Sequence, residues 1–211
     1  MGQTVPAVMS PLLRIVPRGP FPALAEGTVV IFTSEAGVTA WQALGGENTG
    51  RAWCVGARTA AAATSLGFEV AGVAETANDL VEAITDPGPL VHLHGQFTRG
   101  DVVGRLQARG HRVTGHCLYE QVAQPLNDEA RVVLGREGAI CVPLFSPRTA
   151  EILAENLPTS LRATLFLCAM SDAVAQVAGR IPGGNLRVAA APTGDAMRKE
   201  VANCLTFRHV T

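Results

Sequence analysis

A chain of 211 residues, 47% apolar and 17% charged, is long enough to bury one large core or two smaller ones and too apolar to stay disordered. A formal net charge of −1 gives no electrostatic reason to expect a nucleic-acid or membrane-surface partner, and the longest apolar runs are strand-sized, which argues against a transmembrane helix. Met1-Gly2-Gln3-Thr4 does not begin a secretory signal, and the five scattered cysteines (Cys54, Cys117, Cys141, Cys168, Cys204) read as small buried hydrophobes in a reducing cytoplasm.

In chain order, Thr4 to Met9 reads as an opening strand and Leu12 to Pro17 as an extended segment. Apolar strand-like runs then alternate with helix-like segments, the pattern of parallel sheets wrapped by helices. Strands are expected near 28–33, 51–55, 68–73, 89–94 and 111–115, with helices near 35–44, 58–66, 77–84 and 99–109. Gly67 and Gly110 stand where a left-handed C-cap is wanted, and Asn78 and Asp79 open the third helix. Cys117 to Val122 is a second extended segment. The scheme then repeats: helix 127–135, strand 139–145, helix 148–156, strand 163–168, helix 172–179, strand 186–190 and helix 193–204, with Thr193 as its N-cap.

The two extended segments flank the first α/β unit and are expected to run antiparallel as a two-stranded connector. The implied fold class is α/β, with two flavodoxin-like (Rossmann-like) three-layer domains. One is discontinuous, 1–11 with 125–211; the other, 18–116, is inserted into it; 12–17 and 117–124 form the connecting β-ladder. A chain that crosses twice between domains favours hinge motion and a ligand cleft between them.

A cassette occurs twice at one offset. Ser34 ends an apolar run and Thr59 follows 25 residues later; Ser146 and Ser171 repeat that spacing 112 residues on. Each hydroxyl is expected at a strand-to-helix turn, where open α/β sheets bind ligands and where helix N–H groups attract anions. Ser and Thr cap helices equally well for purely structural reasons. Gly56 and Gly95 follow apolar strands, where lack of a Cβ lets an anion reach backbone N–H groups, although glycine there is also steric punctuation. Arg99, beside Gly100 at a helix start, suits bidentate pairing with a carboxylate, and Arg148 is similarly placed. His92 and His94 share one strand face, but no third ligand stands at a zinc spacing, so no metal site is expected.

In order and spacing, Phe32-Thr33-Ser34, Val55-Gly56-Ala57-Arg58-Thr59-Ala60, Leu66-Gly67-Phe68-Glu69-Val70, His94-Gly95, Arg105 to Val113, Leu118-Tyr119 and Phe145-Ser146-Pro147 together resemble the uroporphyrinogen-III synthase family over essentially the whole chain. That resemblance implies two α/β domains joined by a two-stranded ladder, a cytoplasmic, monomeric, cofactor-independent lyase of tetrapyrrole (heme) biosynthesis, and a linear tetrapyrrole, hydroxymethylbilane, as substrate. It implies closure to uroporphyrinogen III with loss of water and inversion of the terminal ring. Tyr119, the sole tyrosine, is the implied acid for the leaving hydroxyl; Ser34, Gly56, Thr59, Gly95, Arg99, Ser146 and Ser171 are the implied substrate contacts. The chain departs from the family in three places, the third being the loops of the second unit, which are short and match the family poorly. Its start resembles the family's second strand, so one β-α unit is expected to be missing, and Cys168-Ala169-Met170-Ser171 replaces a segment where the family often carries Gly and Thr. The rival expectations are a non-catalytic remnant of the family and a hinged two-domain small-molecule-binding protein.

Overall fold

The computed structural model describes residues 6–20, 22–46, 50–98 and 100–206. The chain divides into two compact units, Ile15–Val122 and Met1–Arg14 with Ala123–Thr211. Val29–Phe32, an apolar run buried along its whole length, forms strand β2 at the heart of the first unit. Such a run fits a strand covered on both faces. Around it lie β1 (Leu13–Pro17), β3 (Arg51–Val55), β4 (Glu69–Ala74), β5 (Leu90–Gly95) and β6 (Val113–Ala123), in the order β1-β6-β5-β2-β3-β4. Strands β2 to β6 pair in parallel. Between them run α1 (Glu35–Ala43), α2 (Ala57–Ser65), α3 (Ala77–Ala83) and α4 (Val102–Ala108).

The period-two alternation of strands divides the core in two. Val30, Phe32, Ala52, Cys54, Val91 and Leu93 pack with Trp41 of α1 and Ala60 and Ala63 of α2. Val29, Ile31 and Leu90 pack instead with Leu80 and Val81 of α3 and Val102 and Leu106 of α4. The sheet is therefore doubly wound. The chain steps outward from β2 through β3 to β4, then returns to the other side of β2 as β5, making a topological switch point between β2 and β5.

The extended segments pair as expected. The Arg18 N–H donates to the Leu118 carbonyl and the Gln124 N–H to Leu12, so β1 and β6 run antiparallel. The expected gap at residue 116 is absent: β6 is one eleven-residue strand, whose start pairs with β5. Polar side chains at Thr114 and His116 do not interrupt a ladder made by the backbone. Gly67 and Gly110 leave α2 and α4 at φ of +103° and +89°.

The third helix takes its cap two positions before Asn78, the first of the expected opening residues. Thr76 caps it and Asp79 closes a capping box, with Asn78 already inside the first turn. The fourth starts at Val102, capped by Asp101, rather than near 99.

The second unit contains β7 (Ala139–Leu144), β8 (Thr164–Ala169) and β9 (Asn185–Val188), parallel and in chain order. Its helices are α5 (Asp128–Leu134), α6 (Pro147–Asn156), α7 (Asp172–Ala178) and α8 (Gly194–Thr206). Thr193 caps α8 as its position predicts, accepting from the Ala196 N–H at 3.2 Å. Of the expected opening strand, Pro6 to Met9 are not in a strand, and Thr4 and Val5 lie outside the described residues.

Candidate active site

The carboxyl ends of β2 and β5 and the middle of β6 bring Ser34, Gly95 and Tyr119 together. Ser34 is the N-cap of α1, but its side chain accepts nothing from the helix. Its Oγ lies 2.9 Å from the Tyr119 hydroxyl, across 85 residues of sequence. Gly95 explains how the ring reaches that point. A β-carbon built there would stand 2.5 Å from the ring, so the aromatic face lies directly over the glycine. Gly95 and Tyr119 are also partners in the β5–β6 ladder, at a register shift after His94. The ring is 5% exposed and belongs to the core on the α1–α2 side. This phenol–hydroxyl pair sits at the β2/β5 switch point, where doubly wound sheets open a crevice for ligands.

On the other sheet face, His92 Nε2 lies 3.1 Å from the Thr33 hydroxyl. The His94 ring lies beside it, tilted by 42° with ring centroids 4.9 Å apart, and its Nδ1 is 2.8 Å from the Gly95 carbonyl. Burial, reinforced by His94, pushes the His92 pKa down to about 4, so this imidazole is neutral at pH 7. The sequence places Thr33 in a motif without giving it a role, and its hydroxyl meets His92. Its partner is 59 residues away, and only the adjacency of β2 and β5 brings the two together.

The remaining candidates fall in different settings. Gly56 is the N-cap of α2 at φ +81°, and a β-carbon added there would meet nothing within 4 Å, so its backbone conformation alone accounts for the glycine. Thr59 is the third residue of α2 and 5% exposed. It is not at a helix cap, whereas Ser171 is the N-cap of α7 and makes no side-chain cap bond. Ser146 caps α6, accepting from the Thr149 N–H at 3.2 Å and lying 3.0 Å from the Thr149 hydroxyl. Arg148 is 4.0 Å from Glu151. Arg99 lies outside the described residues.

Gly95→Ala tests the arrangement. The added methyl must displace the Tyr119 ring, and overpacking of this kind costs about 1–3 kcal/mol. Urea unfolding of the variant should show a loss in that range; an unchanged midpoint would mean that the ring moves aside freely.

The sequence profile described as "Uroporphyrinogen-III synthase HemD" matches residues 3–199. The chain belongs to the uroporphyrinogen-III synthase family. Members of this family are cyclising lyases of tetrapyrrole biosynthesis that act on a linear tetrapyrrole. The fold is similar to that of uroporphyrinogen-III synthetase from Helicobacter pylori, with a TM-score of 0.67 over 93% of this chain and 91% of that one, at 13% identity. At that identity the likeness is one of fold. Wild-type uroporphyrinogen III synthase from the extremely thermophilic bacterium Thermus thermophilus matches with a TM-score of 0.41, 18% identity and coverage of 85% and 78%. No curated protein matches the chain in sequence. No helix among the described residues is long and apolar enough to cross a membrane.

Proposed function

We propose that this chain closes hydroxymethylbilane to uroporphyrinogen III, losing water and inverting the terminal pyrrole ring. The observation that carries this reading is the Tyr119–Ser34 hydroxyl pair, 2.9 Å apart at the switch point of a sheet in a uroporphyrinogen-III synthase family member. The first step is departure of the substrate's hydroxyl. With Ser34 donating to the phenolic oxygen, the Tyr119 proton is directed away from Ser34 and toward that leaving group. Water departs as the pyrrole nitrogen lone pair pushes in, which leaves an azafulvenium cation and the Tyr119 phenolate; the phenolate then takes the pyrrole N–H proton, giving the neutral azafulvene.

The substituted carbon of the terminal pyrrole then attacks. The spiro intermediate so formed fragments and recloses with that ring inverted. Because the pyrroles supply the electronic push, the protein's larger task is to hold one productive conformer. Ser34, Gly56, Thr59, Gly95, Arg99, Ser146 and Ser171 are proposed to meet the substrate's carboxylates. A chain of net charge −1 holds such an anion through local donors, namely hydroxyls and helix N-terminal N–H groups, rather than through a general positive field.

The burial of Tyr119 within the core supports a second reading, in which the tyrosine only packs and the chain binds without turning over. A product-isomer assay separates the two. Hydroxymethylbilane is generated in situ, and the oxidised uroporphyrins are resolved into types I and III, with and without the protein. Type III above the blank is the expected result. Type I alone, equal to the blank, overturns the catalytic reading.

A further inference from the structure

Three cysteines that are far apart in sequence converge in the second unit. Cys141 of β7 and Cys168 of β8 occupy adjacent parallel strands, two places apart in register: Cys141 faces Phe166 and Pro143 faces Cys168. Cys204 comes from α8, which packs on these strands. Met197 and Cys204 lie two helical turns apart, so both point from one face of α8 into the sheet. The Cys168 Sγ is 3.2 Å from the Cys204 Sγ and 3.5 Å from the Cys141 Sγ, and all three sulfurs lie within 4.8 Å of one another.

We propose that Cys141, Cys168 and Cys204 form a three-thiolate site for one soft d10 metal ion of the Cu(I)/Zn(II) class. The geometry supports this directly. An ion about 2.3 Å from three sulfurs in a trigonal plane sets those sulfurs about 4.0 Å apart, close to the spacing already present. The surroundings are soft as well: Met170 and Met197 pack in the same cluster, and sulfur-rich ligand sets select this class of ion over hard cations. Cys141 is only half-buried and also lines an apolar groove of about 440 Å3 along β7, between Leu12, Leu126 and Phe145.

Binding is a proton-for-metal exchange without redox change. Each thiol gives its proton to solvent as its sulfur becomes a thiolate ligand, so three protons leave for each ion bound. Neighbouring thiols and burial hold Cys168 well above the ordinary thiol range, and burial also raises Cys204. Uptake therefore weakens as pH falls.

The test uses the full chain, reduced and freed of metal, titrated with Cd(II) as the spectroscopic probe. The expected result is an ultraviolet thiolate-to-cadmium band that saturates at one equivalent and a higher unfolding temperature on saturation. Cys141→Ser and Cys204→Ser should each lose the band, while Cys117→Ser, at an exposed thiol on the other unit, should keep it. Cys141→Ser is the better of the two losses, because a half-buried edge position tolerates the change; circular dichroism of the metal-free variant shows that it is folded. Displacement of cadmium by Zn(II) or by buffered Cu(I) then identifies the ion. Absence of the band from the reduced wild-type chain overturns the proposal, as does a band that survives Cys141→Ser or disappears with Cys117→Ser.

Discussion

Tyr119→Phe lowers the rate of type III product formation by about 10²–10³ while the chain remains folded. The size follows from the role: a positioned acid contributes about 10²–10⁴. Turnover is slowed rather than abolished, because conformational control of the substrate does not depend on the phenol. The variant keeps the ring that lies over Gly95 and loses only the hydroxyl that meets Ser34, so its structural cost is one hydrogen bond, about 1 kcal/mol. Ser34→Ala is the control. It breaks the same hydrogen bond yet leaves the phenol in place, so it should cost similar stability and a smaller share of the rate. The measurement is kcat for type III over the type I background, with urea midpoints for both variants. Full activity in Tyr119→Phe removes the acid role and returns Tyr119 to packing alone.

The elements most legible from sequence are those whose side chains alternate with the backbone. Val29–Phe32 reads as a strand buried on both faces because it is apolar throughout, and its neighbours follow from helix-length spacing. The family resemblance is legible for the same reason, since ordered short motifs track the ends of these strands. Where backbone pairing decides, sequence pattern misleads: β6 is expected as a strand near 111–115 and a separate extended segment from Cys117 to Val122, although the ladder on either side holds it as one strand. The doubled cassette is only half structural. Counted from strand start to strand start, β3 follows β2 three residues sooner than β8 follows β7. One spacing therefore ends on the α7 cap at Ser171 and the other inside α2 at Thr59.

Partnerships across the sequence are the least legible. Ser34 carries the signature of a helix cap and occupies the cap position, but its hydroxyl turns to Tyr119 instead. Nothing local distinguishes that from ordinary capping. The three thiols of the second unit likewise read as separate hydrophobes. Only the β7–β8 register and the placement of α8 over those strands bring Cys141, Cys168 and Cys204 to one point.

Acid should destabilise the fold through His92 before most carboxylates titrate. In the unfolded chain His92 takes up a proton near its ordinary pKa of 6.5, while in the fold burial delays uptake to about 4. The unfolded state thus binds more protons through that window, so stability rises with pH there and falls as pH drops from 6.5 to 4. A lowered histidine contributes fully above the unfolded pKa, and the difference here is worth about 3 kcal/mol by the bottom of the range. The imidazole is 2% exposed, so solvent offers little screening. His94, its ring centroid 4.9 Å away, deepens the effect, because a charge on one ring opposes a charge on the other.

The comparison is wild type against His92→Gln, whose amide can still meet Thr33 but cannot titrate. Urea unfolding at a series of pH values from about 7.5 to 4.5 should show (wild type minus variant) a difference that shrinks steadily below about pH 6.5. Carboxylates shared by both proteins cancel from that difference, which leaves His92. Parallel curves across the whole series would mean that His92 takes up its proton as readily in the fold as in the unfolded chain. The Thr33–His92 contact would then sit in a far more hydrated place than its burial indicates.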